Sequence, residues 1–231
     1  MDARTFVVVG GTSGLGREIV RRLVPDHQVV VIGDIEEEVA ATAAELGCDG
    51  MVCDVSHYER VQHTLKEIVS RYGTIHGLAH CAAMWAGGSL QDFPHEVIRR
   101  VVEVNVLGAA YVLKEAVTRM LEQGGGNIVY IGAMAVQVPR PGIPLYRATK
   151  NFGSSLVESL AQAHGSNGIK IMQLHPGPMP TRLQERVGAK FLDDVYALPE
   201  QVAREVIRLL ALGPDDLYVS GQQVLRADGR W

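Results

Sequence analysis

Cysteine is scarce: the sequence holds only Cys48, Cys53 and Cys81, an odd number with neither a CxxC pair nor zinc-ligand spacing. That pattern argues against a disulfide framework and fits a reduced, cytoplasmic setting. No uninterrupted apolar run is long enough for a membrane span. Met1 leads almost directly into Thr5-Phe6-Val7-Val8-Val9, without the charged segment, apolar stretch and small-residue cleavage site of a secretory signal. Lys and Arg form no cluster and the formal net charge is −4, so neither nucleic acid nor a membrane surface is an expected partner. No carboxylate pair or histidine cluster shows metal-ligand spacing, and no metal is expected. Linkers, repeats and low-complexity segments are also missing.

What is present is an ordinary globular composition, 47% apolar and 21% charged. Short β-branched runs alternate with longer segments of helical period. Strands are expected at Phe6–Val9, Gln28–Ile32, Gly50–Cys53, Gly77–His80, Asn127–Ile131, Lys170–Leu174 and Tyr218–Leu225. Helices are expected at 14–24, 36–46, 57–72, 94–122, 146–165 and 199–212. Asp92 and Pro94 read as the cap and first turn of the long helix, and Gly124-Gly125-Gly126 as its stop. Such alternation implies right-handed parallel crossovers, hence a doubly wound α/β sheet of about seven strands with helices on both faces. One domain over residues 1–231 is the expectation. The irregular stretch at about 181–198 is either a binding loop over a substrate or a surface excursion.

The first strand runs into Gly10-Gly11-Thr12-Ser13-Gly14-Leu15-Gly16, and a helix follows at once. Glycines at 10, 14 and 16 suit a tight turn, close approach of backbone to a pyrophosphate, and packing of helix on strand. The helix start offers free N–H groups and a positive dipole end. Asp34 ends the second strand, roughly twenty residues on, where a carboxylate accepts hydrogen bonds from an adenosine ribose and repels a 2′-phosphate. This favours NAD(H) over NADP(H). The alternative is that Asp34 only caps the Glu-rich helix after it. Arg4 or Arg17 would weaken the NAD reading by reaching a 2′-phosphate.

Tyr146 and Lys150 are four apart, one turn of one helix face. A neighbouring ammonium stabilises phenolate, so the pair suits proton transfer to or from a carbinol oxygen, with the tyrosine pKa expected to fall. Alone, the spacing is as readily a surface pair.

Together these motifs resemble the shorter subtype of the short-chain dehydrogenase/reductase family, nearly end to end from Val7 to Gly229. The marks are Gly10-x-x-x-Gly14-x-Gly16, Asp34, Asp54, Asn105, Tyr146-x-x-x-Lys150, Pro176-Gly177 with Thr181, and Asp228-Gly229. The resemblance implies a Rossmann-type fold and a nicotinamide cofactor. It implies that Gly10, Thr12, Ser13, Gly14, Leu15 and Gly16 hold the pyrophosphate. Asp34 with Ile35 would hold the ribose, and Asp54 with Val55 the adenine. Cys81, Ala82 and Ala83 would lie along the cofactor, and Pro176, Gly177, Met179 and Thr181 at the carboxamide. Tyr146 would be the acid/base. Lys150 would bind the nicotinamide ribose and tune Tyr146, and Asn105 would kink its helix and hold a water that relays protons to the lysine.

The sequence departs from the family at 133, thirteen before the tyrosine, where Ala133 stands in place of a serine that hydrogen-bonds the reacting oxygen. Losing such a donor typically costs on the order of 10²–10³ in rate. Thr149, His175, Gln137 or the substrate itself are candidate replacements. His80-Cys81 replaces an Asn-Asn pair, with His80 read as a satisfied structural histidine, and His175 replaces an asparagine. Met84, Trp85, Ala133, Met134, Val136, Met179 and Leu183 follow strand ends, where open α/β sheets bind ligands, and suggest a bulky apolar substrate. Some of them can instead simply pack under the 181–198 loop.

Three readings follow. One is an NAD(H)-dependent oxidoreductase on a secondary alcohol or ketone. The second is an enzyme with non-redox chemistry (elimination, isomerisation or cyclisation) on this scaffold. The third is a cofactor-binding protein with little catalysis. The resemblance also implies a homodimer or homotetramer through helices 94–122 and 146–165, with Val101, Leu113, Phe152 and Leu156 as contact candidates.

Overall fold

Phe6, Val7 and Val8 are fully buried because their strand lies inside a sheet covered on both faces. The structure, a computed structural model, describes residues 3–137, 139–179, 198–216 and 222–225. Thr181, Leu183, the 181–197 part of the loop, and Asp228-Gly229 lie outside these residues.

Seven parallel strands are described: β1 (Thr5–Val9), β2 (Gln28–Gly33), β3 (Asp49–Val52), β4 (Gly77–His80), β5 (Gly126–Ile131), β6 (Ile169–Pro176) and β7 (Gln222–Leu225). They run in the order β3-β2-β1-β4-β5-β6-β7. The helices are α1 (Gly14–Leu23), α2 (Glu36–Leu46), α3 (Tyr58–Tyr72), α4 (His95–Val102), α5 (Ala109–Gln123), α6 (Pro144–His164) and α7 (Pro199–Leu210).

Alternation along the strands feeds two cores. One face of the sheet packs Val7, Leu78, Ile128, Tyr130 and Ile171 against α3, α5 and α6. The other packs Val8, Ala79, Val129 and Leu174 against α1 and α7. Local chemistry sets several helix ends. Glu36, Glu37 and Glu38 occupy the positive end of α2, and Gly47 closes it in the left-handed region. Pro144 opens α6 at its first turn.

The expected helix over 94–122 is not one helix. Asp92 instead ends a short 3₁₀ turn, and Pro94 sits outside α4 at its N-cap position. The reason is local: a residue before proline is pushed out of helical conformation, and Phe93 is extended at φ −79°, ψ 130°. Further on, Glu103–Gly108 winds as a π-helix that joins α4 to α5.

Chain order reverses between β1 and β4, which both pair with their neighbours in parallel register. In open α/β sheets the crevice beyond such a switch point is where ligands bind.

Candidate functional site

A cavity of about 960 Å³ opens beyond the carboxyl ends of β1, β2, β4, β5 and β6. Its lining includes Gly10, Thr12, Ser13, Gly14, Leu15 and Gly16 from the first turn, and Asp34, Ile35, Asp54 and Val55 after β2 and β3. Cys81, Ala82, Ala83, Met84 and Trp85 follow β4, and Ala133 and Met134 follow β5. Tyr146 and Lys150 enter from α6, and Pro176, Gly177 and Met179 follow β6. Every described residue expected to act in catalysis or cofactor binding lines this space except Asn105, and of the described expected wall residues only Val136 does not. Val136 is buried and does not line it.

The first turn is compact for steric reasons. Gly10 has φ +77°, and a Cβ on it would meet the Ala82 nitrogen at 2.5 Å. A Cβ on Gly16 would lie 2.1 Å from the Gly10 carbonyl oxygen. Ser13 precedes α1 without capping it through its side chain, so no side-chain oxygen from that position competes for the helix-start N–H groups. These features fit an anion such as a pyrophosphate.

At the β2 end, exposed Asp34 is joined by Glu38, whose carboxylate accepts a 3.3 Å hydrogen bond from Thr12 Oγ1. Arg17 ion-pairs with Glu45, and Arg4 donates to the Ala211 carbonyl. Neither arginine lines the cavity. At the β3 end, Asp54 accepts from Ser56 N at 3.0 Å and Ser56 Oγ at 2.7 Å, and pairs with Arg100 at 2.8 Å. Burial alone would raise the Asp54 carboxyl, but the Ser56 hydrogen bonds and the Arg100 guanidinium outweigh it and hold the group below its ordinary 3.8. Glu38 and Arg100 were missed by sequence reasoning. Glu38 carried a usable signal, lying in the first turn of the Glu-rich helix that follows Asp34; Arg100 carried none, because its contact with Asp54 spans 46 residues.

Tyr146 and Lys150 do project together from α6, and both side chains are buried. Lys150 Nζ donates to the Ile131 carbonyl at 2.9 Å and lies 5.9 Å from the Tyr146 ring centre. Burial lowers Lys150 to about 8. The expected depression of the Tyr146 pKa is overturned: burial pushes the phenol well above its ordinary 10. The physical reason is that removing a phenolate from water outweighs the attraction of an ammonium at this distance. Trp85 lies against the tyrosine with ring centres 4.6 Å apart.

Asn105 sits in the π-helix and is buried. Its Oδ1 accepts the Met84 N–H at 2.7 Å, while its Nδ2 donates to the Met84 carbonyl at 2.8 Å and to Thr149 Oγ1 at 3.0 Å. Thr149 in turn donates to the Tyr146 carbonyl at 2.8 Å. The asparagine therefore ties the segment after β4 to the helix carrying Tyr146.

Ala133 lines the cavity as expected, and the three candidate replacement side chains, Thr149, His175 and Gln137, do not line it. Thr149 donates to the Tyr146 carbonyl within α6, and Gln137 is exposed. His175 is fully buried, and its Nδ1 accepts the Ala133 N–H at 3.2 Å. Burial lowers it to about 4. His80 is structural but not satisfied: both its nitrogens are buried without a hydrogen-bond partner among the described residues. Burial takes it to about 3, because a charged imidazole there would have neither water nor an anion.

Comparison with known proteins agrees with this geometry. The sequence profile described as short chain dehydrogenase matches residues 4–191. The chain belongs to the short-chain dehydrogenase/reductase family. Short-chain dehydrogenase reductase 3a of Arabidopsis thaliana is 31% identical over 99% of this chain and 95% of its own length. Carbonyl reductase family member 4 of Xenopus tropicalis is also 31% identical, over 98% and 97%. The actinorhodin polyketide ketoreductase, solved as a single-residue variant with NADPH, superposes with a TM-score of 0.88 at 26% identity, covering 97% of this chain and 96% of its own. This short-chain dehydrogenase/reductase is thus an oxidoreductase-family enzyme with a nicotinamide cofactor. Two of its expected contact residues are corrected: Val101 and Leu113 are fully buried in the chain's own cores, whereas Phe152 is 39% exposed.

Proposed function

We propose that this chain is an NAD(H)-dependent oxidoreductase that interconverts a ketone and a secondary alcohol on a bulky apolar small molecule, with Tyr146 as acid/base. The observation that carries the reading is the continuity of one cavity from the glycine turn and Asp34 to Tyr146 and Lys150. The first turn would hold the pyrophosphate, Asp34 the adenosine ribose, Asp54 with Val55 the adenine side. Cys81 to Ala83, Lys150 and the Pro176–Met179 backbone would hold the nicotinamide half. When bound, the nicotinamide supplies or accepts the hydride.

Every other step belongs to the chain. Burial keeps Tyr146 protonated, the state that donates to a carbonyl oxygen in reduction; the alcohol returns that proton in oxidation. The Lys150 cation favours the phenolate that results. Ala133 leaves the reacting oxygen without a second donor from that position, so the proton donor carries a larger share of the stabilisation. Met84, Trp85, Phe93, Met134 and Ile143 are among the apolar residues of the lining and favour an apolar substrate body.

NAD(H) is preferred in this reading because Asp34 and Glu38 share the ribose end, where a 2′-phosphate would meet two carboxylates. Arg17, which the sequence offered as a partner for a 2′-phosphate, is engaged with Glu45. We also infer one functional domain, working in the cytoplasm as a homodimer or homotetramer. Its three cysteines are free thiols, and Leu107, Leu121 and Phe152 expose apolar surface on the π-helix, α5 and α6.

The test follows reduced-nicotinamide absorbance with NADH or NADPH and a panel of bulky ketones. Turnover with NADH that disappears in Tyr146→Phe supports the proposal. Substrate conversion without net nicotinamide oxidation, or turnover unchanged by Tyr146→Phe, overturns it.

A further inference from the structure

The segment between β5 and α6 is braced from both sides. Arg147, in the first turn of α6, donates from Nε to the Ala135 carbonyl at 2.9 Å and from Nη2 to the Val136 carbonyl at 3.3 Å. Further along, the Ile143 N–H donates to the Arg140 carbonyl at 3.1 Å and closes a turn over Arg140-Pro141-Gly142-Ile143. The Gly88 N–H donates to the Gly142 carbonyl at 2.8 Å, which pins this turn to the segment after β4. Pro139 and Pro141 flank Arg140 and narrow the backbone freedom around it. Arg140 is thereby held on the cavity lining, just before the helix start that leads into Tyr146.

The charged residues of the described lining divide by position. Asp34, Glu38 and Asp54 belong to the β2 and β3 end, where Arg100 is paired with Asp54 at 2.8 Å. Lys150 is turned to the Ile131 carbonyl. Arg140 follows β5, three strand positions from β2, or about 14 Å across the sheet. No carboxylate among the described residues lines the cavity at that end. Arg17, Arg100 and Arg119 ion-pair with carboxylates, whereas the Arg140 side chain has neither an ion pair nor a hydrogen bond among the described residues. The lining contributed by the segments beside it, from Met84, Trp85, Met134 and Ile143, is apolar. A guanidinium carries five donors and no acceptor, so the partner it lacks is an anion.

We propose that Arg140 selects the substrate by charge: the apolar ketone or alcohol that enters this cavity carries an anionic oxygen group, a carboxylate or a phosphate-type group, remote from the reacting carbon, and the Arg140 guanidinium binds it. The inference rests on the reading of Tyr146 as the group at the reacting oxygen, and it narrows the substrate from bulky and apolar to amphipathic. The planar fork of the guanidinium suits two oxygens of one such group. The apolar wall between Arg140 and Tyr146 takes the body of the molecule, and the anion fixes which end faces the phenol. Arg140 is exposed, so a bound anion there keeps part of its hydration and the gain in affinity is on the order of tenfold. That gain is the same before and during reaction, because the anion is remote from the carbon that changes, so it acts through KM and not through kcat.

The experiment is titration calorimetry of the full chain with saturating NAD⁺ and three probes: para-benzoylbenzoate, the corresponding phenylphosphonate, and the neutral methyl ester of the benzoate. The oxidised cofactor has no hydride to give a ketone, so binding is read without turnover. At least one anion should bind on the order of tenfold more tightly than the ester, and the tighter of the two distinguishes a carboxylate from a phosphate-type group. Arg140→Gln should abolish the preference and leave ester binding unchanged, with melting temperature as the check on folding. Arg140→Lys should keep part of the preference, and added salt should weaken the anions alone. Two results overturn the proposal: anions that bind the parent no more tightly than the ester, or a preference for them that survives Arg140→Gln. The Tyr146→Phe variant, which tests the oxidoreductase reading, should rank the three probes as the parent does, so the two failures are separable.

Discussion

The indole of Trp85 rests on the phenol ring of Tyr146, with centres 4.6 Å apart and planes tilted by 46°. The contact joins the segment after β4 to α6 across the cavity. It also accounts in part for the burial that raises the Tyr146 pKa. Trp85→Ala should therefore move the tyrosine back toward its ordinary 10, read as a shift of the phenolate absorbance titration relative to the parent. The same variant should weaken binding of bulky apolar substrates by about two- to tenfold, since a lost aromatic contact is worth roughly 0.5–1.5 kcal/mol beyond area. An unchanged titration curve would show that other groups bury the phenol.

Ala133→Ser restores a hydroxyl on the cavity wall at a backbone held by His175. With a second donor to the reacting oxygen, carbonyl reduction should rise by about tenfold or more, below the full 10²–10³ of an evolved donor because neighbouring side chains are not adapted to it. The increase should appear in kcat with KM little changed. No gain, or a loss, would mean that the reaction does not place developing oxyanion charge there.

Asn105→Ala removes three hydrogen bonds at once and leaves the Met84 N–H and carbonyl without their partner. Stranding two backbone groups costs about 2 kcal/mol or more. The urea midpoint should fall accordingly with the slope unchanged. A variant as stable as the parent would show that water takes over both Met84 groups freely.

The sheet was legible because parallel strands buried on both faces are written as β-branched runs, as in Phe6-Val7-Val8-Val9. The glycine turn was legible because Gly10 and Gly16 answer to local steric demands. The interruption of the helix at 103–108 was not, because Asn105 is satisfied by Met84 and Thr149, 21 and 44 residues away. No periodicity records such a contact. The direction of the Tyr146 shift was also hidden: spacing revealed the ammonium one turn away, but only packing reveals how thoroughly the phenol is removed from water.

Asp34 and Glu38 together should set cofactor choice. Asp34→Asn with Glu38→Gln removes both negative charges while preserving the Thr12 contact geometry. Affinity for NADH should fall by about tenfold as the ribose loses a charged acceptor, and affinity for NADPH should rise. Titration calorimetry with each cofactor gives both changes. A parent protein that already binds NADPH more tightly than NADH would reverse the assignment.

Stability should decline as pH falls below the ordinary histidine pKa, chiefly because of the two most deeply buried imidazoles. The folded pKa is about 4 for His175 and about 3 for His80, against 6.5 for the free side chain. The unfolded chain therefore binds more protons than the folded one once the pH drops below 6.5, and stability is lost from there down to the folded values. Each pKa unit corresponds to about 1.4 kcal/mol, so His175 alone accounts for a loss on the order of 3 kcal/mol by pH 4. Lys150 adds no slope in this window, because with a folded value near 8 it is protonated in both states. Asp54, held below 3.8, adds its own loss only at more acid pH. Burial also lowers His27 and His76, so they add to the same decline. Urea denaturation between pH 7 and 4 should show the decline, and His175→Asn should flatten it by removing one of these proton uptakes. An equally steep decline in His175→Asn would place the acid sensitivity elsewhere.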